Sequence, residues 1–250
     1  MLRAVRFAAK TGFTLDAATR APIAKLGKLI HDVPSARLFD EILKLLMSGY
    51  SWAAIQGLKD AGLHHGLLPL LDHILDKSAD SKEANDFVRI ALANTDQRIQ
   101  SGKSVSAGFL FATLLWPDLL KNWKTNSAKG IANIPALHDA MDDTIATQSS
   151  GMTIQRRFES DMREIWSMQP RFERRVGRYP YRLIESPRFR AGYDFMLLRC
   201  ATGELNPAIG QWWTDFIAAD PTGQDDLMAA IKNESGNSPS PTKRRRRRKP

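Results

Sequence analysis

Signals that start and stop helices recur along almost the whole chain, and no segment alternates polar and apolar residues as a half-buried strand does. That pattern restricts the fold class to all-α. Met1-Leu2-Arg3-Ala4-Val5-Arg6-Phe7-Ala8-Ala9-Lys10 is amphipathic from its first residue, with Leu2, Val5 and Ala9 on one face and Arg3, Arg6 and Lys10 on the other. Gly12 can close this helix in the left-handed conformation. Ser35 is placed to cap a helix over residues 36–48, with Leu38, Ile42, Leu45 and Leu46 as its apolar side and Gly49 as its stop. Further helices are expected at 51–61, 67–75, 83–99, 106–121 and 136–147. Pro117 is expected to kink or end the 106–121 helix. A strongly periodic helix covers 153–168, interrupted after Pro170. Ser186-Pro187 reads as a cap followed by proline at the first helical position of the next helix, and a last helix lies near 207–219, around Trp212, Trp213 and Phe216.

The chain is long enough, at 250 residues, to bury a substantial core. A weak boundary at 127–135, where Gly130, Asn133 and Pro135 fall together, divides it into residues 1–130 and 131–235. From about Asn233 the composition turns to Asn, Ser, Gly and Pro and then to an arginine run. Residues 236–250 are therefore read as a disordered basic tail, unable to bury apolar area that would offset its ordering entropy. Lys243, Arg244, Arg245, Arg246, Arg247, Arg248 and Lys249 carry all but two of the net +9 charges, so the body itself is close to neutral. No apolar run reaches the length of a membrane span, and a cytoplasmic location is expected. The single cysteine, Cys200, can form neither an internal disulfide nor a thiolate metal site by itself.

The inventory for catalysis by this chain is thin. His64, His65 and His73 stand near Asp72 and Asp76, yet ligands for a metal must converge from several elements, and surface or cap positions are the simpler reading. Asp142-Asp143 and Asp225-Asp226 are adjacent pairs, and neighbours on a helix point in different directions. No glycine-rich phosphate loop or serine elbow is present, and the expected catalytic and metal-ligand sets are empty.

The cationic signals are stronger. Between Arg156 and Arg199 there are eleven arginines, six acids and no lysine, with Phe158, Trp166, Phe172, Tyr179, Tyr181, Phe189 and Tyr193 interleaved. Arginine presents a planar fork to phosphate oxygens and stacks on rings and bases, so such a region can hold a nucleic-acid backbone with little sequence preference. Arg156, Arg157, Arg174, Arg175, Arg178, Arg188 and Arg190 are the candidate RNA contacts, together with the tail cations from Lys243 to Lys249. Arg174, Arg175 and Arg178 lead this set, because their stretch is rich in loop residues and poor in acids. Against this, aromatic residues also build cores, and arginines pair with neighbouring acids. Arg37, Glu41 and Lys44 are spaced to interact along one helix, which reads as structural bracing.

Two N-terminal segments resemble a known superfamily. Residues 1–13, from Met1-Leu2-Arg3-Ala4-Val5-Arg6 to Gly12-Phe13, resemble the helix that follows the catalytic head of class II nucleotidyltransferases, the group of bacterial poly(A) polymerases and CCA-adding enzymes. Pro34-Ser35-Ala36-Arg37-Leu38-Phe39-Asp40-Glu41-Ile42-Leu43-Lys44-Leu45-Leu46 resembles the next segment, in the neck. Arg156-Arg157-Phe158, Met162-Arg163-Glu164-Ile165-Trp166, Gln169, Pro187-Arg188-Phe189-Arg190-Ala191-Gly192-Tyr193-Asp194-Phe195 and Trp212-Trp213 resemble the poly(A) polymerase branch, as does the basic tail. The resemblance runs from residue 1 to about 217.

The resemblance implies an elongated neck and body that engages single-stranded RNA 3′ ends. In the complete family enzyme, a head domain binds ATP and two Mg2+ ions and adds AMP. The head motifs are not in this sequence, so the chain is expected to be inactive alone and to bind no cofactor. It reads as beginning inside a helix, as a late start, a truncated gene or a fragment would. By the resemblance Arg3 and Arg6 lie near the nucleotide pocket, and Arg37, Glu41 and Lys44 brace the neck against the head. A CCA-adding fragment, a non-enzymatic RNA-binding protein and a purely structural helical protein are the alternatives. Binding that survives deletion of 236–250 separates a folded RNA groove from contact by the tail alone.

Overall fold

The computed structural model describes residues 1–63 and 82–236, and these form an elongated all-α arrangement. The expected 67–75 helix, the His64, His65 and His73 group and the tail cations from Lys243 to Lys249 lie outside the described residues. The helices are α1 (Leu2–Thr11), α2 (Ala17–Leu26), α3 (Ser35–Leu46), α4 (Ser51–Asp60), α5 (Lys82–Gln100), α6 (Ala107–Ala128), α7 (Asn133–Gly151), α8 (Arg156–Phe172), α9 (Tyr179–Ile184), α10 (Phe189–Ala201), α11 (Pro207–Ala218) and α12 (Pro221–Gly236), with a 3-10 turn at Gly27–Asp32.

Local chemistry sets many of the ends. Gly12 has φ 72° and closes α1, its N–H donating to the Ala8 carbonyl. Ser106 caps α6 by accepting from the Phe109 amide. Asn206 caps α11 from its side chain, and Pro207 takes the first helical position. Other ends are set from a distance. Ser51 at the start of α4 donates its amide to both oxygens of Asp96 on α5, at 2.9 and 2.8 Å, and its hydroxyl to the same carboxylate.

Four expectations are corrected. Ser35 does not cap α3, because it is already helical and Pro34 occupies the cap position. Its hydroxyl instead accepts from the Thr153 amide at 3.3 Å, tying α3 to the segment before α8. The helix at 106–121 does not end at Pro117 but continues to Ala128. Leu115, Trp116, Leu119 and Trp123 are buried on both sides of the proline, so packing outweighs the single missing hydrogen bond. Ser186-Pro187 lies in a turn, and α10 begins at Phe189, whose amide donates to the Ser186 carbonyl. Finally, 207–219 is not the last helix: α12 follows, and its Leu227, Met228 and Ile231 pack on the distal core.

α6 is the axis of the fold, buried nearly all round and packed by α5, α7, α8 and α10. α1, α3 and α4 pack together at one end, where Gly57 lets α4 approach α1: a Cβ there would stand 2.8 Å from Val5 Cγ1. α11 and α12 pack at the other end.

Two apolar clusters result. The proximal one gathers residues from Leu2 to Leu198, with Ile42, Leu46, Ile55, Leu110 and Trp166 among its fully buried members. The distal one is smaller and aromatic, built from Met168, Phe172, Leu183, Tyr193, Met196, Leu205, Trp212, Trp213 and Phe216. α8 and α10 contribute to both, and a polar seam lies where they change from one cluster to the other. Arg199 donates to Glu204 at 2.8 Å and to Gln169 at 3.3 Å, Trp116 Nε1 donates to Glu204 at 2.7 Å, and Gln169 donates to the carbonyls of Ile165 and Gly192. Arg199 is thus a buried structural cation whose charge is met on the spot.

Candidate RNA interface

At the neck, Glu41 on α3 collects the charge contacts. Arg3 on α1 donates Nε and Nη2 to Glu41 Oε1 at 3.0 and 2.8 Å, and Lys44 approaches the same oxygen at 3.5 Å. The Arg3 hydrogen bond, opposed in part by desolvation, holds the Glu41 carboxyl below its ordinary range. Arg37 is exposed and makes no ion pair among the described residues, so the expected trio along α3 is only partly realised, and its outside partner comes from α1. The Arg6 guanidinium lies 5.2 Å from the Phe7 ring centre, and its buried Nε has no hydrogen-bond partner among the described residues. Phe7, Phe13, Leu26 and Leu29 are exposed at this end.

The arginine-rich end treats its cations differently. The segment between α8 and α9, at residues 173–178, is a loop, as the sequence predicts. The Arg174 guanidinium carbon lies 3.8 Å from the centre of the Tyr179 ring and that of Arg175 5.5 Å from the Trp212 ring, while Arg178 is exposed at the start of α9. Arg157 stands 4.5 Å over Phe158, and Arg156 is exposed at the first position of α8. A guanidinium resting on a ring keeps its in-plane N–H groups at the edge, directed outward, and loses little hydration-competent donor capacity. Arg156, Arg157, Arg174 and Arg178 are exposed members of the expected RNA set, and Arg175 is half-buried.

Arg188 and Arg190 are occupied otherwise. Arg188 reaches Asp161 at 2.5 Å and Glu164 at 3.9 Å, joining α10's approach to α8. Asp161 is wedged in turn against Gly108, where a Cβ would stand 2.5 Å from Asp161 Cβ. Arg190 pairs with Asp194 one turn on, at 2.9 Å. Sequence spacing could have flagged the second pair but not the first, because Asp161 and Glu164 are more than twenty residues from Arg188.

The remaining chemistry is local. Tyr181 donates to Asp225, which raises its phenol pKa and uses one member of the Asp225-Asp226 pair. Asp142 accepts from Arg163 at 2.7 Å. Burial pushes the Cys200 thiol up from its ordinary value, the direction that disfavours the thiolate. Among the described residues, no three His, Cys, Asp or Glu side chains converge as a metal site would require, and no helix is long and apolar enough to cross a membrane.

Residues 12–75 match a family model described as the probable RNA and SrmB-binding site of polymerase A, and residues 129–250 match one described as the arginine-rich C-terminus of polymerase A. Poly(A) polymerase I of Salmonella typhi is 36% identical over 251 residues, covering 99% of this chain and 53% of that protein. The Escherichia coli O157:H7 protein of the same name gives 36% over 251 residues with the same coverage. That of Haemophilus influenzae gives 31% over 254 residues, covering 100% of this chain and 55% of the relative. The chain spans about half the length of the curated relatives it matches. With both regional models matched in order and identity running through the neck, the body and the arginine-rich end, the chain belongs to the bacterial poly(A) polymerase family and carries its RNA-binding and arginine-rich segments.

Proposed function

We propose that this chain is the RNA-engaging portion of a polynucleotide adenylyltransferase that adds AMP from ATP to RNA 3′ ends in the cytoplasm, as a step of RNA processing such as mRNA polyadenylation. The observation that carries this reading is the arginine loop at 173–178, where Arg174 and Arg175 rest on Tyr179 and Trp212 beside the exposed Arg178. Stacked guanidinium groups offer both phosphate donors and a surface for bases, the combination that single-stranded RNA requires.

Arg156 and Arg157 extend this surface, and the tail from Lys243 to Lys249 adds salt-sensitive attraction. Arg188 and Arg190 contribute less, because each already satisfies a carboxylate. Arg3 and Arg6 serve nucleotide-proximal positions, and Arg37, Glu41 and Lys44 steady the neck. The working division is a neck and body at 1–130, an arginine-rich region at 131–235 and a tail at 236–250. ATP and Mg2+ belong to chemistry supplied outside these residues. A protein partner, as the description of the 12–75 segment names for its family, would find Phe13, Leu26 and Leu29 exposed there.

The test is AMP incorporation into a short single-stranded RNA with ATP and Mg2+, comparing this chain with a version extended upstream in the reading frame. Extension by the longer protein alone is expected. Incorporation by the 250-residue chain would overturn the assignment of catalysis outside it. Inactivity of both, with RNA binding intact, would favour a non-enzymatic RNA-binding protein.

A further inference from the structure

The sequence reading spread RNA contact over an arginine-rich region, but α8 (Arg156–Phe172) sorts its own arginines by face. Met162, Ile165, Trp166, Gln169 and Phe172 are buried on one side. Arg156, Arg163 and Arg171 recur at i, i+7 and i+15 on the opposite side, with Ser160 and Ser167 between them at i+4 and i+11 and Glu164 at the edge beside Arg171. At 1.5 Å per residue the three arginines are spaced by about 10 Å and about 12 Å along the helix. Asp161 is turned to Arg188 and Glu159 flanks the row, while Glu164 is exposed beside it and reaches Arg188 only at 3.9 Å. The helix is held rigidly for this purpose, by Trp166 donating to the Ala112 carbonyl at 3.1 Å, by Ser35 accepting from Thr153, and by Phe39 stacked 5.8 Å from Phe158. At the far end of the row the chain passes straight into the loop that carries Arg174 on Tyr179.

Arg163 is the exception within the row. Its partner, Asp142 on α7, has 69% of its side chain exposed and sits on a helix with three exposed aspartates and no lysine or arginine. A solvent-exposed bridge of this kind is weak. A phosphate oxygen offers Arg163 the same charge-assisted contact, so Asp142 competes with it rather than supporting it.

We propose that the outer face of α8 is a phosphate track for single-stranded RNA, formed by Arg156, Arg163 and Arg171, and that Asp142 is its built-in competitor at the middle position. The proposal rests on the RNA-binding reading above and adds two residues, Arg163 and Arg171, to the interface. It also assigns an acid that weakens binding.

The experiment is equilibrium binding of a fluorescently labelled single-stranded oligoadenylate to the full chain across a salt series. Arg156→Ala, Arg163→Ala, Arg171→Ala and Asp142→Asn are compared, with thermal melts to establish folding. Each arginine variant is expected to weaken binding and to lower the slope of log K against log salt by about 0.7, the value for one phosphate contact on a single strand. Asp142→Asn is expected to tighten binding by roughly two- to threefold, an effect that loss of a merely structural bridge would not produce. Wild-type binding that all four substitutions leave unchanged would overturn the track while leaving the RNA-binding function standing. Weaker binding by Asp142→Asn would overturn its role as competitor. Failure of the wild-type chain to bind the RNA would overturn the underlying reading itself.

Discussion

The neck end and the arginine-rich end both carry exposed cations over a packed helical core, and each mixes carboxylate-paired with ring-stacked cations in different measure. At the neck, Arg3 and Lys44 converge on one carboxylate, Glu41, while Arg6 lies over Phe7 and Arg37 faces solvent. At the distal end Arg174 and Arg175 lie over Tyr179 and Trp212. A ring positions a guanidinium without neutralising it. Aromatic residues of both cores do two jobs: Trp212 in the distal core and Phe158 against the proximal one also carry Arg175 and Arg157. A cation count alone does not identify a polyanion surface: what the cation rests on decides whether its donors are available.

The largest expected effect tests whether the two cores are separate cooperative units. Trp213 is fully buried and donates to the Phe172 carbonyl at 2.9 Å. Trp213→Ala should cost about 3–5 kcal/mol in urea unfolding. If the distal core melts by itself, the near-ultraviolet signals of Trp116 and Trp166 should persist through the first transition. A single transition would join the cores through the Arg199 seam. Next in size, Gly108→Ala forces a Cβ against Asp161, and through it against the Arg188 bridge, with an expected loss of about 1–3 kcal/mol measured the same way.

A smaller effect separates stacked from salt-bridged arginines. Arg174→Lys keeps the charge but loses the planar contact with Tyr179, and should weaken RNA binding by roughly two- to fivefold. Arg188→Lys, between Asp161 and Glu164, should leave it nearly unchanged in the same titration, and equal losses would break the comparison. The smallest effect is at the neck. The folded-state pKa of Glu41 is depressed, so the stability it contributes is present above the ordinary carboxylate range and is lost as pH falls through the lowered value. Glu41→Gln should therefore flatten part of the decline in urea midpoint below about pH 4. An acid limb identical to that of the wild type would mean that Arg3 gains nothing from the pairing.

Much of the helix pattern was legible because its causes are short-range. Gly12, Gly49 and Gly130 stop helices with φ of 72°, 79° and 86°, which a residue without Cβ adopts freely. The loop at 173–178 was legible from composition. α12 was not, because its apolar residues Leu227, Met228 and Ile231 make a weak stripe that gains its meaning from the distal core beneath it. Ser35 was misread for the related reason that a hydroxyl competent to cap its own helix was taken by Thr153, 118 residues away. The candidate site divided likewise. The loop position of Arg174, Arg175 and Arg178 was legible from composition, whereas the common face of Arg156, Arg163 and Arg171 takes its meaning from which side of α8 is buried.

By itself, then, the order of residues determined the all-α class, most helix ends, the position of the arginine-rich region and the family resemblance, since each rests on periodicity or on local motifs. Tertiary structure alone decided the state of each arginine. Arg199 is buried against Glu204 and Gln169, Arg188 is drawn to Asp161 and Glu164, Arg174 rests on a ring, and Arg156 is left to solvent. The physical reason is that a guanidinium's fate depends on which carboxylate, ring or water lies within a few ångströms of it, and helix packing, not chain order, brings those groups together.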